Sequence, residues 1–193
     1  MTGEVFTGRE LHLHVCGSIG ASLVPWWIHW FRDLHPDTVV NVSLTRSAQR
    51  FVSPTAVRHL VNGVVWADTW EDDSVPTDVN SGLSGGSECI VVFPATLDTL
   101  MRLASGRTDT PALMMLQLTT LPIVIADSLP GTNPLVQRRL AELDLRPNIA
   151  FAPRVVGIRA SDRSRVESGF NLPGALTTAN AMLTHPMTEN THD

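Results

Sequence analysis

The chain has 193 residues, a net charge of -5, 43% hydrophobic and 17% charged residues. That length fits a single domain, 1–193, able to bury about 70% of its unfolded surface. The negative balance and the lack of a basic run argue against nucleic-acid binding, and no apolar stretch approaches the roughly 20 residues of a membrane span. All 14 Lys-or-Arg positions are Arg, and Tyr is absent too. A Schiff-base lysine, a pyridoxal anchor and a P-loop lysine are therefore excluded. The start, Met1-Thr-Gly-Glu-Val, lacks the cationic end of a signal peptide, which predicts a cytoplasmic protein.

Strand and helix patterns alternate along the chain. Leu11 to Cys16 reads as a strand, followed by a Gly-Ser-Ile-Gly turn and a helix from about Leu23 to Leu34. That helix carries Trp26, Trp27, Trp30 and Phe31 at helical spacing, a stripe for the core or for a subunit contact. Val39 to Leu44 is the second strand, Thr55 to Val61 a helix, and Val64 to Trp70 a third, edge strand. Glu71 to Glu88 is a long Asp/Ser/Gly-rich loop, whose length points to function or mobility. Cys89 to Pro94 is the next strand, with helices near 97–105 and 110–119. Pro122 to Ala126 is a strand. Asn133-Pro134 then caps and opens a helix, Asn as N-cap and Pro in the first turn. Asn148 to Ala152 is a last strand. Residues after Arg154 read as an irregular tail with one helix near 173–184, and 186–193 as a frayed end. Such alternation implies a doubly wound α/β fold, a parallel sheet with helices on both faces.

Two segments carry chemistry. Gly17-Ser18-Ile19-Gly20 joins the first strand to the first helix, where glycines permit a tight turn and amides can face an anion. A dinucleotide fold would want an acidic residue at the end of the second strand to hold a ribose diol. That place instead reads Ser43-Leu-Thr45-Arg46-Ser47, hydroxyls and a guanidinium that suit a phosphate, so a mononucleotide such as FMN is preferred to NAD. The second segment is Pro94-Ala95-Thr96-x-x-Thr99 at the tip of a fully apolar strand, a shelf on which a flat polar ring can rest. Cys16 and Cys89 read as buried structural thiols. His12 and His14 share one strand face, but no further Cys/His/Asp cluster accompanies them to make a zinc site.

The shelf resembles the Pro-Ala-Ser-Ala-Asn-Thr segment of the homo-oligomeric flavin-containing cysteine decarboxylases. Gly-Ser-Ile-x-Ala (17–21), Leu-Thr-x-Ser-Ala-x-x-Phe-Val-x-Pro (44–54) and Asn-Pro-x-Val-Gln-Arg-x-Leu (133–140) match three further family segments, in order from about residue 10 to 153. The resemblance implies a flavodoxin-like fold, FMN or less often FAD, and trimers packed into a dodecamer with the flavin at the subunit contact. It implies cofactor contacts from Gly17, Ser18, Ile19, Thr45, Ser47, Pro94, Ala95, Thr96 and Thr99.

The pattern breaks at three points. The family histidine lies fourteen positions before the shelf proline; here that position is Asn80, and an amide is no base at neutral pH. The family's shelf Asn is Asp98. The family Pro-x-Met-Asn segment, whose Asn holds the substrate carboxylate, is shortened, with Pro130 in its place and Ser128 and Thr132 as the remaining donors. Asn80 and Asp98 are the candidate catalytic residues. The implied function is oxidative decarboxylation of the C-terminal cysteine of a ribosomally made precursor peptide. The alternatives are a non-catalytic flavin-binding regulatory homologue and a phosphopantothenoylcysteine decarboxylase. The Ser-Gly-Ala-Ser-Gly turn of flavin prenyltransferases is absent.

Overall fold

The computed structural model describes residues 6–75, 86–158 and 162–184. The first strand, β1 (Glu10–Val15), alternates side chains so that Leu11, Leu13 and Val15 enter one apolar layer and His12 and His14 face the other. A 3-10 turn over Ile19–Leu23 leads into α1 (Val24–Leu34). Next come β2 (Val39–Leu44), α2 (Pro54–Leu60), the short β3 (Val65–Ala67), β4 (Cys89–Ala95), α3 (Leu97–Ala104) and α4 (Pro111–Leu118). The unit closes with β5 (Ile123–Asp127), α5 (Pro134–Asp144) and β6 (Ile149–Phe151).

The six strands form one parallel sheet in the order β3-β2-β1-β4-β5-β6. This is a flavodoxin-like, Rossmann-like doubly wound sheet, and its strand order reverses between β1 and β4. Residues of β4 and β5 alternate between two layers. Val91, Phe93, Val124 and Ala126 pack with Ile28 and Phe31 of α1. Ile90, Val92, Ile123 and Ile125 pack with Leu100, Leu113 and Leu116 of α3 and α4. Continuous apolar strands are what a sheet covered on both faces requires.

Local chemistry ends the elements where expected. Asn133 Oδ1 accepts from Val136 N at 2.9 Å and Thr110 Oγ1 from Leu113 N at 3.3 Å, each with proline in the first turn. The third strand stops sooner than its sequence implies. Ala67 N donates to Asp72 Oδ2 (2.5 Å) and Ala67 O accepts from Thr69 N (2.8 Å), which turns the chain before Trp70. In the aromatic stripe, Phe31 is fully buried, Trp27 packs edge-on to Phe93 at 6.0 Å, and Trp26 stays 54% exposed.

The segment after Arg154 is a correction to the sequence reading. It is no irregular tail but an antiparallel hairpin, β7 (Val155–Ile158) with β8 (Arg165–Ser168), followed by α6 (Leu172–Thr184). Arg154 anchors its base by donating to both oxygens of the buried Asp127 carboxylate, 2.8 Å from Nη2 and 3.3 Å from Nε. Ser168 Oγ donates to Asp127 O at 2.8 Å. Short β runs interrupted by charged residues hide a hairpin whose stability comes from tertiary contacts. The frayed end expected at 186–193 lies outside the described residues.

Leu13 sits in the middle of the central strand, almost wholly buried. Leu13→Ala is expected to destabilise the fold by about 3 kcal/mol through lost burial and the cavity it leaves. Urea denaturation should show a lower midpoint with an unchanged slope.

Candidate functional site

The strands that flank the reversal send their following loops to opposite faces, which opens a crevice at their C-terminal ends. A cleft of about 1090 Å³ lies there, at the upper end of ligand-site volumes. Its floor and walls come from the loops after β1, β2, β3, β4 and β5 and from the hairpin.

The first wall is the loop after β1. Gly17 lies so close to the loop after β2 that an added Cβ would overlap Ser47 Cβ and stand 2.7 Å from Ser47 C. Only glycine permits this approach. Ser18 Oγ is buried beside the cleft with no hydrogen-bond partner, an orphan that calls for an external acceptor or donor. Across from it stand Thr45, Arg46 and Ser47, with Thr45 Oγ1 accepting from Ala48 N at 3.1 Å to hold the turn. Hydroxyls, a guanidinium and close-packed backbone form a fitting cradle for a phosphate.

The second wall is the tip of β4 and the start of α3. Thr96, Leu97, Asp98, Thr99 and Arg102 line the cleft. Pro94 and Ala95 are buried behind them, and their carbonyls already accept from Cys16 N (3.2 Å) and Ser128 N (2.9 Å). They brace the shelf from beneath. Asp98 is a rim carboxylate, its side chain 79% exposed and 3.7 Å from Arg102. Asp68 is buried at the end of the third strand and caps α4 by accepting from Ala112 N at 2.8 Å.

The third wall is the hairpin, which contributes Val155, Gly157, Ile158, Val166 and Ser168. Phe170, just beyond it, stacks on Phe93 with ring centroids 4.4 Å apart. Among the shortened-loop candidates, Ser128 lines the cleft beside Leu129 and Pro130, and Thr132 does not. Asn80 lies outside the described residues. Sequence reasoning missed Asp68, Arg102 and the hairpin. The apolar run Val155-Val156-Gly157-Ile158 was the available signal for the first strand of the hairpin; Arg165–Ser168 and Asp68 had none.

The model of the flavoprotein family matches residues 5–153, most of the chain. The chain belongs to the flavoprotein family. Its cradle, shelf and orphan Ser18 hydroxyl accordingly fit a flavin cofactor. Among curated proteins it is 63% identical to the cypemycin cysteine dehydrogenase (decarboxylating) of Streptomyces sp over 182 residues, 94% of this chain and 96% of that protein. Among solved structures it matches the cypemycin decarboxylase CypD with a TM-score of 0.87 and 57% identity, over 97% of this chain and all of that one. The FMN-dependent cysteine decarboxylase TvaF from thioviridamide biosynthesis matches with a TM-score of 0.62 and 26% identity, over 74% of this chain and 89% of that one.

Gly17→Ala is expected to weaken flavin binding by about 2 kcal/mol, because the two cradle loops must separate to admit the methyl group. Ser47→Asp should cost about tenfold in affinity, or 1.4 kcal/mol, by setting like charge against the phosphate. Fluorescence titration of the flavin into each purified variant checks both.

Proposed function

We propose that this enzyme oxidatively decarboxylates the C-terminal cysteine of a ribosomally made precursor peptide, with FMN as its flavin. The observation that carries this reading is the 63% identity to a decarboxylating cysteine dehydrogenase along nearly the whole of both chains. FMN is favoured over a larger flavin nucleotide because Thr45, Arg46 and Ser47 end the second strand where a diol-binding acid would stand.

When bound, the flavin supplies a two-electron acceptor for hydride from the cysteine β-carbon. The chain does the rest. Gly17, Ser18, Ile19, Thr45 and Ser47 hold the phosphate side, and Thr96 and Thr99 hold the ring side. Ser128 and Arg102 face the cleft as donors for the substrate carboxylate. The hairpin sets Val155, Ile158 and Val166 along the cleft as an apolar wall against which the peptide end would lie. Loss of carbon dioxide and two hydrogens leaves an aminoenethiol, the precursor of an aminovinyl-cysteine ring.

Incubating flavin-loaded protein with peptides ending in Cys tests this by mass spectrometry. A product lighter by one carbon dioxide and two hydrogens is expected, and a peptide ending in Ser should be untouched. Unchanged Cys peptides would instead favour a flavin-binding regulatory role.

We further propose a trimer-based assembly, a dodecamer when complete. Ile19, Leu23 and Trp26, in the turn before α1 and its first turn, are apolar side chains each more than half accessible, and surfaces of that kind are seldom left to solvent. Light scattering at micromolar concentration should give a multiple of three chains; a 21.0 kDa mass would contradict it.

A further inference from the structure

We infer that Cys16 and His14 form an internal proton store for this site, reached from the cleft through the hydroxyls of Thr96 and Thr99. The inference rests on the decarboxylase reading above and supplies what that reading lacks, since the amide of Asn80 stands where the family has a histidine.

On β1, His12, His14 and, just past the strand end, Cys16 are all fully buried. His12 and His14 occupy alternate positions, and a second Cys16 neighbour, Thr99, comes from α3. Buried strand histidines are ordinarily satisfied on both nitrogens, and these are not. His12 Nε2 and His14 Nδ1 converge on one hydroxyl, Ser43 Oγ, each at 2.8 Å. The other nitrogens, His12 Nδ1 and His14 Nε2, make no hydrogen bond. Ser43 has one hydrogen to give. Burial and then the neighbouring His14 push His12 down to about 3, so His12 is neutral and accepts it. His14 Nδ1–H then donates to Ser43, and His14 Nε2 is left as the site that gains or loses a proton.

Cys16 follows His14 by two residues, on the same side of the sheet, and interacts with it electrostatically. The protein contains its own control, because Cys89 is equally hidden in an apolar layer and its thiol is pushed up to about 12 by burial. Burial acts on Cys16 in the same sense, yet its thiol is held below the ordinary value by His14, the Thr99 hydroxyl and the Thr96 backbone N–H. The His14 imidazole moves the opposite way: burial lowers it, but Cys16 and then Asp68 raise it and outweigh Arg102. The two groups are shifted in opposite directions, the sense that favours a proton on His14 and a negative charge on Cys16.

The route to the cleft has one direction. Thr99 Oγ1 donates to Cys16 Sγ at 3.2 Å. With its hydrogen so used, Thr99 accepts from Thr96 Oγ1, 3.2 Å away. Both threonines line the cleft, so the Thr96 oxygen can accept from a donor there. The reaction needs such a store and no net base. The substrate S–H proton leaves as the β-hydrogen departs with its electron pair to the flavin. The bond from Cα to the carboxylate breaks as carbon dioxide leaves, and that electron pair passes to the sulfur as an enethiolate. The enethiolate then takes one proton back. A proton passed along Thr96 and Thr99 to Cys16 in the first step is the proton returned in the last.

The test is carbon NMR of protein labelled at the cysteine β-carbon, in the full chain with and without flavin, beside the rate on a Cys-terminated peptide. At pH 7 one thiolate and one thiol signal are expected, the thiol being Cys89. The thiolate signal should vanish in Cys16→Ala and move to the thiol position in His14→Gln. Cys16→Ala should slow decarboxylation about 100-fold at unchanged flavin content. Thr99→Val should slow it similarly, and Thr99→Ser should restore it. Two thiol signals in a wild-type protein that decarboxylates its peptide would overturn the store and leave the decarboxylase reading standing. So would a Cys16→Ala variant that turns over at the wild-type rate.

Discussion

The two-sided use of β1 is the constraint on which the site depends. Leu11, Leu13 and Val15 are committed to the layer beneath α1 and α6, so the strand cannot slip by one residue without turning its leucines out of that layer. The same register fixes His12 and His14 on the opposite face against Ser43 of the neighbouring strand. It also ends the strand so that Cys16 N bonds Pro94 O across the reversal, tying the anion loop to the shelf. Apolar packing of β1 thus sets the positions of His12, His14 and Cys16 behind the cleft.

The second determinant is the close approach of the loops after β1 and β2. The absence of a Cβ at Gly17 lets the backbone reach Ser47, which turns two ordinary strand ends into a cradle. The hairpin acts from the other side. Arg154 compensates the Asp127 carboxylate, which is almost wholly buried, and a buried carboxylate without a partner is strongly unfavourable. That pair fixes the base of the hairpin where it leaves the sheet. Sheet, cradle and hairpin are therefore coupled through β1, β4 and β5 rather than assembled independently.

Much of this was legible in the sequence because it is local. Val39 to Leu44 is a strand with the same bounds in both readings, and Asn133-Pro134 opens its helix as its residues dictate. Gly17, Ser18, Thr45, Ser47, Thr96 and Thr99 come together around one cleft, as the motifs at the strand ends imply. What escaped is non-local. Asp68 matters because it caps α4, 44 positions away. The hairpin holds because Asp127 anchors it. Pro94 and Ala95 turn out to brace the shelf rather than line it, since their carbonyls serve neighbouring strands and loops. The His12 and His14 spacing was visible, but that both would meet a single serine follows from the pairing of β1 with β2, which no short window of sequence contains.

The central claim is that a flavin in this cleft oxidises a C-terminal cysteine. The most direct measurement is anaerobic mixing of flavin-loaded protein with a cysteine-terminated peptide while the visible absorbance of the oxidised flavin is followed. The account predicts that this absorbance bleaches in a single turnover, in step with release of one carbon dioxide per chain, and that a serine-terminated peptide leaves it unchanged. Persistence of the oxidised flavin with a cysteine peptide bound would contradict it.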